Sequence, residues 1–556
     1  MDPYEKSKML TKRYKKLKTL LEMIYGFNSF RTRQYEIINR IINGEDVCAV
    51  LPTGAGKSLT FQIPAIYMDK PAIVISPLIS LMDDQRLILE ELGVSSCCYN
   101  SNVENKHHMR RDILQCKYKF VYITPESVTK MKEFLLALDD KQGISLIAID
   151  EAHCISSYGF DFRKAYRELT FLKECLPKVP ILALTATATP VVAKDICKVL
   201  GFAHHKPIKT SFDRPNLYLE VREKSKNKSV SASQKISSDI VPIIKEHEGE
   251  SIIIYCVTRK ETEMIGEILG KHNIKCGVYH AGIDTEIKAQ AHRDFVKGKV
   301  KVIAATVAFG MGINKSDVRV VIHYGSPKNI EGYYQEIGRA GRDGEKSYCY
   351  ALFSFRDFEV QKSLIINNAC NQSNQSYEKT QLDLLEYIKR YMTTKHCRRQ
   401  ILLEYFDDDA DDNCGFCDNC TGAHKNDAKV ITTEQNVEKE AKMLINLIES
   451  INNNFGMGKY IDILRGSTNK SITSTMKKSK FYGKGAHRSM AWWKEMSTNL
   501  VEQGFLQQVS VRGRFAMQIV KVTKQGLTWS NMAELDGFLD GIQLTKLQPM
   551  TMVATV

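Results

Sequence analysis

No stretch of the 556-residue chain is apolar for long enough to cross a bilayer. Its first residues, Met1-Asp2-Pro3-Tyr4-Glu5-Lys6, are polar and lack the apolar segment of a secretory signal. Membrane and secreted classes are thereby disfavoured, and an intracellular, soluble protein is expected, nuclear if its source is eukaryotic and otherwise cytoplasmic. A disulfide framework is lacking too. In an intracellular chain fifteen cysteines imply reduced thiols, and eleven of them (Cys48, Cys154, Cys197 and Cys256 among them) are scattered, mostly within apolar runs, as small core residues. Acidic residues are outnumbered, 64 against 78 basic, and the net charge of +14 favours a polyanionic partner. The remaining composition, 43% apolar and 26% charged, is that of globular protein, and the length predicts about three to four domains.

What is present is organised around Leu51-Pro52-Thr53-Gly54-Ala55-Gly56-Lys57-Ser58. The apolar run Val47 to Leu51 precedes it and helical spacing follows from Leu59 to Met68, so it is a strand, a glycine-rich turn and a helix start. Backbone N–H groups in such a turn cradle phosphate oxygens, Lys57 is suited to the β/γ-phosphates, and the Ser58 hydroxyl is suited to Mg²⁺. The full phosphate-loop pattern has a glycine where Leu51 stands, so the match is G-x-G-K-S. The bland alternative is a βα turn with a surface lysine. Upstream, a basic segment from Lys12 to Lys18 becomes an amphipathic helix that stops at Gly26. Gln34, just before the loop, carries an amide that matches an adenine edge, against the plainer reading of a solvated helix-start glutamine.

Short apolar runs then alternate with helical patterns: Ala72 to Ser76, Lys119 to Thr124, Ser145 to Ile149 and Pro180 to Leu184. That alternation predicts a parallel sheet with ligands at the carboxyl ends of its strands. Asp150-Glu151-Ala152-His153 stands at one such end. Asp150 is suited to the Mg²⁺ that bridges phosphates, and Glu151 to polarising the attacking water. A plain helix cap is the alternative, and His153 is expected to hydrogen-bond across to a second domain.

With Thr185-Ala186-Thr187 added, these motifs resemble a superfamily-two helicase. Gly26-Phe27 with Phe30, Arg31 and Gln34, then Ser76-Pro77-Leu78-Ile79-Ser80-Leu81-Met82 and Ala152-His153-Cys154-Ile155-Ser156, narrow the resemblance to the RecQ family of DNA helicases. The resemblance implies that Arg31 and Gln34 contact adenine. It also implies that the loop Ser157-Tyr158-Gly159-Phe160-Asp161-Phe162-Arg163 binds single-stranded DNA and couples it to hydrolysis. The family usually has Trp where Tyr158 stands and His where Phe160 stands. Stacking survives that exchange, whereas Phe160 offers no hydrogen bond.

A second alternating region follows, with Ser251 to Cys256, Gly277 to Gly282 and Val300 to Thr306, and it lacks a phosphate loop. Two βα domains sharing one loop imply a nucleotide cleft between them. From the far side, Gln335-Glu336-Ile337-Gly338-Arg339-Ala340-Gly341-Arg342 offers two arginines three apart, with Arg342 as the finger on the γ-phosphate and Arg339 beside it. Thr306 is expected on the nucleic-acid backbone, and Gly310-Met311-Gly312 is expected to couple it to ATP.

Cys397, expected at the end of a helix from Tyr387 to His396, and Cys414, Cys417 and Cys420 make a four-thiolate set. Alone it fits Zn²⁺ or an iron–sulfur cluster. The match to the RecQ zinc subdomain favours structural Zn²⁺, with Asp407 to Asp412 as a solvated turn. Thr432 to Trp529 resembles the family's winged-helix domain, with Arg512 and Arg514 at the tip of a hairpin suited to phosphates and at least one of Trp492 and Trp493 in the core. The expected architecture is α/β: two RecA-like parallel-sheet domains (1–208 and 209–355), a zinc-binding helical subdomain (356–430), a winged-helix domain (431–530) and a short tail (531–556). The resemblance implies ATP, Mg²⁺ and Zn²⁺ as cofactors and 3′-to-5′ unwinding of forked duplex DNA in repair and recombination. An RNA helicase shares the hydrolytic motifs, and a DNA-binding scaffold without turnover is the non-enzymatic alternative.

Overall fold

The computed structural model describes residues 12–531 and 551–553 apart from 102, 157, 160–161, 203–205, 226–229, 310–314, 373–374, 424–431, 435–437, 452–454, 470–471, 503 and 512–516. The chain divides into two compact units, residues 1–424 and 425–556.

The first unit holds two parallel sheets. One is built from β1 (Val47–Val50), β2 (Ala72–Ile75), β3 (Ser96–Tyr99), β4 (Phe120–Ile123), β5 (Leu146–Ile149), β6 (Ile181–Thr185) and β7 (Ile208–Lys209), in the order β3-β4-β2-β5-β6-β1-β7. The other is built from β8 (Leu217–Glu223), β9 (Ser251–Cys256), β10 (Cys276–Tyr279), β11 (Val302–Ala305), β12 (Val318–Tyr324) and β13 (Ser347–Phe353), in the order β10-β11-β9-β12-β13-β8. Continuous apolar runs suit strands covered on both faces, because successive side chains enter different cores. Val50, Ile73, Ile75 and Ile123 pack into one core of the first sheet, while Ala49, Val74 and Phe120 pack into the other.

Four strands carry no clean apolar run: β3 is Ser-Cys-Cys-Tyr, and β8, β12 and β13 are interrupted by Glu220, His323 and Tyr350. β7 pairs with β1 at Ala49 and Val50, so the first sheet ends at Lys209 and the second begins at Leu217. The helix before the cysteine cluster, Gln375–Thr393, starts well before Tyr387 and ends before Cys397. Cys397 caps the start of the next helix, Arg398–Tyr405, and does not end the earlier one. A cysteine at that position fixes its thiol relative to a new helix start, which helical periodicity alone does not reveal.

The second unit contains helices Glu438–Ser450, Met457–Leu464 and Met490–Glu502 and the antiparallel pair Leu506–Val511 and Met517–Val522. Trp493 is fully buried there and donates its Nε1–H to Gly485 O at 2.9 Å. Arg512 and Arg514 lie outside the described residues.

Candidate active site and metal centre

β1 delivers the chain into the loop, where Gly54 and Gly56 have φ of 85° and 79°, backbone that favours glycine. At Gly56 a side chain is excluded twice over, since a Cβ there sits 2.4 Å from Gln34 Nε2. Gln34 opens the helix α1 (Gln34–Ile42) and is buried, not solvated. It donates to Ala55 O at 3.1 Å and Gly56 O at 3.0 Å, and its Oε1 accepts the Arg31 N–H at 2.8 Å. The Arg31 guanidinium donates to Gly54 O. Ser58 immediately precedes helix α2 (Leu59–Met68), and Lys57 donates to Leu51 O at 3.3 Å. Burial lowers the Lys57 ammonium, opposed by the charges of Glu151 and Asp150.

Asp150 and Glu151 leave the end of β5. Burial, then the adjacent Glu151 charge, pushes Asp150 up to about 7. Burial also acts against the Glu151 carboxylate, but His153, Lys57 and Arg339 outweigh it and hold that carboxyl below its usual range. Glu151 has φ of 50°, the left-handed region, so the backbone is strained at the carboxylate suited to activate water. His153 Nδ1 lies 3.2 Å from Glu151 and 3.0 Å from Thr185 Oγ1, both in its own domain. Across the cleft, Gln335 Nε2 donates to Thr187 Oγ1 at 3.1 Å.

From the second domain, helix α3 (Ile330–Ile337) starts at Asn329, whose side chain accepts from Gly332 N at 2.8 Å. Tyr334, Gln335 and Gly338 share one face of its turn and meet the first domain. Tyr334 joins the first domain's core, Gln335 bonds Thr187, and a Cβ at Gly338 lies 3.1 Å from Thr53 Cβ. Arg339 and Arg342 follow directly after this helix and line the same cavity as Lys57 and Glu151. A Cβ at Gly54 lies 3.8 Å from Arg342 Cγ. Burial, then Arg339 and later Arg214, pulls Arg342 down to about 10, a cost that an incoming polyanion offsets. Lys57, Ser58, Asp150, Glu151, Arg339 and Arg342 line one cavity of about 510 Å³, with Arg31, Gln34, Thr53, Gly54 and Gly56.

Arg214 is the residue that motif reading passed over. It donates to Thr53 O at 3.4 Å, Ala340 O at 2.8 Å and Gly341 O at 2.9 Å, tying the loop to the arginine-bearing turn. The only local signal was its place in the inter-sheet stretch Ser211 to Asn216.

Cys397, Cys414, Cys417 and Cys420 place their sulfurs within 4.8 Å of one another, and Cys414 Sγ lies 3.9 Å from Cys420 Sγ. Tetrahedral zinc at ~2.3 Å from each sulfur needs sulfurs ~3.8 Å apart, so the donor set fits Zn²⁺. Helix α4 (Arg398–Tyr405) leaves this cluster, and Arg398 Nη1 donates to Tyr391 O at 2.9 Å. Asp418 accepts both from Arg398 Nε and, at 2.9 Å, from Val221 N, which fastens the subdomain to β8. The acidic run is not purely a solvated turn. Asp408 accepts from Ser211 Oγ at 2.9 Å and Phe212 N at 2.6 Å, because the linker's N–H groups need partners there.

The predicted nucleic-acid residues stand apart from the cavity. Tyr158 is 56% exposed, while Phe162, Arg163 and Thr306 are half-buried. Arg163 donates to Pro77 O at 3.1 Å. Phe160 and Gly310-Met311-Gly312 lie outside the described residues. Among the described residues no helix is long and apolar enough to cross a membrane.

Family models match in series: DEAD/DEAH box helicase over residues 31–196, helicase conserved C-terminal domain over 234–344, RecQ zinc-binding over 355–421 and RQC domain over 432–533. The chain is 63% identical to "Putative ATP-dependent RNA helicase R290" of Acanthamoeba polyphaga mimivirus, over 100% of both. It is 38% identical to the bifunctional 3′-5′ exonuclease/ATP-dependent helicase WRN of Mus musculus, over 92% of this chain and 36% of that one. To the ATP-dependent DNA helicase RecQ of Haemophilus influenzae it is 36% identical, over 93% of this chain and 80% of the other. The paired parallel sheets, the four-cysteine cluster and these matches agree: the chain belongs to the RecQ family of helicases and is a helicase ATPase that uses ATP with Mg²⁺ and carries structural Zn²⁺.

Proposed function

We propose that the cavity between the two sheets hydrolyses ATP to drive 3′-to-5′ translocation along one strand of forked duplex DNA and unwinding, in repair and recombination. The observation that carries this reading is the approach of Arg342 and Arg339 to the loop bearing Lys57, opposite Asp150 and Glu151, within one cavity. Thr53 to Ser58 surround the phosphates, and Arg31 and Gln34 lie on the adenine side. Ser58 and Asp150 would hold Mg²⁺, which when bound would neutralise phosphate charge. Glu151, kept as a carboxylate by His153 and Lys57, accepts a proton from the attacking water. Arg342 stabilises the charge that develops on the transferred phosphoryl group, a contribution of ~10³–10⁵ in rate. Tyr158, Phe162 and Arg163, with Phe160, stack on and contact the single strand, and Thr306, Arg512 and Arg514 contact backbone phosphates. A compartment that keeps four thiolates reduced, the nucleus in a eukaryote or otherwise the cytoplasm, is the consistent setting.

The name carried by the mimivirus relative supports a second reading, an RNA substrate. Unwinding of matched DNA and RNA forks, with the single-stranded arm at either end, tests both substrate and polarity. DNA preference with a 3′ arm is the expected result, and preferential opening of RNA replaces the first reading. In the same preparation, Lys57→Ala should abolish ATPase activity while leaving nucleic-acid binding measurable. Normal turnover in that variant removes the site assignment.

A further inference from the structure

The zinc subdomain reaches further than its cysteines. Leu403 and Phe406, on and just after α4, belong to the same core as Cys154, Ile155 and Val192 of the first domain. Phe406 stacks on Phe212 of the linker at 4.4 Å between ring centres and packs edge-on to Tyr334 of α3 at 5.0 Å. Tyr334 in turn donates its hydroxyl to Phe212 O at 2.6 Å. A side-chain pair adds a further polar contact to this junction. Glu331, one turn before Tyr334 on α3, is 3% exposed, and its Oε1 accepts the Tyr405 hydroxyl. Its Oε2 is buried with no hydrogen-bond partner.

A buried, half-satisfied carboxyl is expensive to maintain. Nothing in the packing of α3 demands it, since Tyr334 and Ile330 already supply apolar anchorage there. Its position supplies the reason. Glu331 begins the helix face that continues through Gln335 on Thr187 to Gly338 against Thr53. A hydrogen bond at the first turn therefore sets the rotation and height of the helix that carries Arg339 and Arg342 to the loop. Burial raises the Glu331 carboxyl, opposed first by the Tyr405 hydrogen bond and last by the His153 charge.

We infer that Tyr405 and Glu331 are a positioning pair through which the zinc subdomain holds α3 in register for closure of the nucleotide cleft. Neither touches nucleotide; both act through the arginines. The inference rests on the cleft reading above, which Lys57→Ala tests independently.

The test is Tyr405→Phe, which deletes one hydroxyl and leaves the ring. Nucleic-acid-stimulated ATPase kinetics, thermal unfolding and zinc content are measured on the full chain. The loss of one hydrogen bond at the closing step predicts a fall in kcat of about three- to tenfold, with KM for ATP, Tm and zinc content close to the parent. Glu331→Gln keeps an acceptor for Tyr405 and should retain kcat within about twofold, whereas Glu331→Ala should match Tyr405→Phe. The double variant Tyr405→Phe/Glu331→Ala should be no slower than Glu331→Ala alone. Parental kcat in Tyr405→Phe, or a loss matched by lowered Tm and zinc content, overturns the inference, as does failure of Glu331→Gln to restore turnover.

Discussion

Gly338→Ala separates the closing of the cleft from the stability of the domains that form it. Gly338 ends α3 with φ of −62°, ordinary helical backbone, so alanine meets no conformational penalty there. Its Cβ, however, lies 3.1 Å from Thr53 Cβ across the cleft. Carbon atoms prefer ~3.5–4.0 Å, so the loop and the arginine-bearing turn must separate by roughly 0.4–0.9 Å. Two further neighbours, Tyr334 O at 3.0 Å and Gln335 O at 3.4 Å, belong to the same helix and move with it. Their cost is equal in the open and closed cleft and cancels from the closing equilibrium. What remains is an overpacking term of about 1–2 kcal/mol charged to the closed form alone. A 1 Å displacement at a reacting centre costs ~10² in rate, so about half of it should lower kcat roughly tenfold. The assay is steady-state ATPase under saturating nucleic acid, alongside thermal unfolding. The expected pattern is reduced kcat with Tm within about 2 °C of the parent. Unchanged kcat refutes the reasoning, and so does a kcat loss that tracks a loss of folded protein.

Gly341→Ala should do the reverse, because φ of +55° and a Cβ 2.4 Å from Asn216 Nδ2 and 2.8 Å from Glu345 O place the cost in the folded second domain. A destabilisation of about 2–4 kcal/mol is expected, read as a lowered Tm even without nucleotide. Asp84 lines the cavity, and burial followed by the Asp83 charge raises its carboxyl to about 6. A folded-state value above the ordinary 3.8 means that stability falls as pH rises between about 4 and 6. Asp84→Asn should therefore raise Tm at pH 7–8 by about 2–4 °C after allowance for partial exposure, with no difference below about pH 4. An equal gain at both pH values would sink that account. Chelation of zinc should lower Tm and ATPase activity together, because Asp408 and Arg399 hold the linker at Phe212, Asp213 and Leu217. Full turnover after stoichiometric zinc release contradicts that coupling.

What could be read from the sequence has a physical pattern to it. The loop at Thr53 to Ser58, the carboxylates at Asp150 and Glu151, the arginine turn and the cysteine cluster are each short runs whose chemistry depends on neighbours in the chain. The strands that could be recognised, such as β2 and β5, are unbroken apolar runs, whereas β3 and β8 stand at sheet edges and β12 and β13 lie between partner strands, and all four are held by pairing while they tolerate Ser, Glu, His and Tyr. Gln34 was visible as a residue but its bonds were not, because Ala55 and Gly56 accept through carbonyls that every residue possesses. The same limit hid Arg214, whose guanidinium bonds Thr53, Ala340 and Gly341 through backbone oxygens more than a hundred residues away. Asp408 on Phe212 and Tyr405 on Glu331 are also contacts between distant segments. The candidate catalytic groups thus lie in local runs, while the parts that bring them together are long-range and are seen only in the fold. It follows that substitutions in the second class should change closure with the site's own residues intact, which is why Gly338 and Tyr405 are more informative targets than the loop itself.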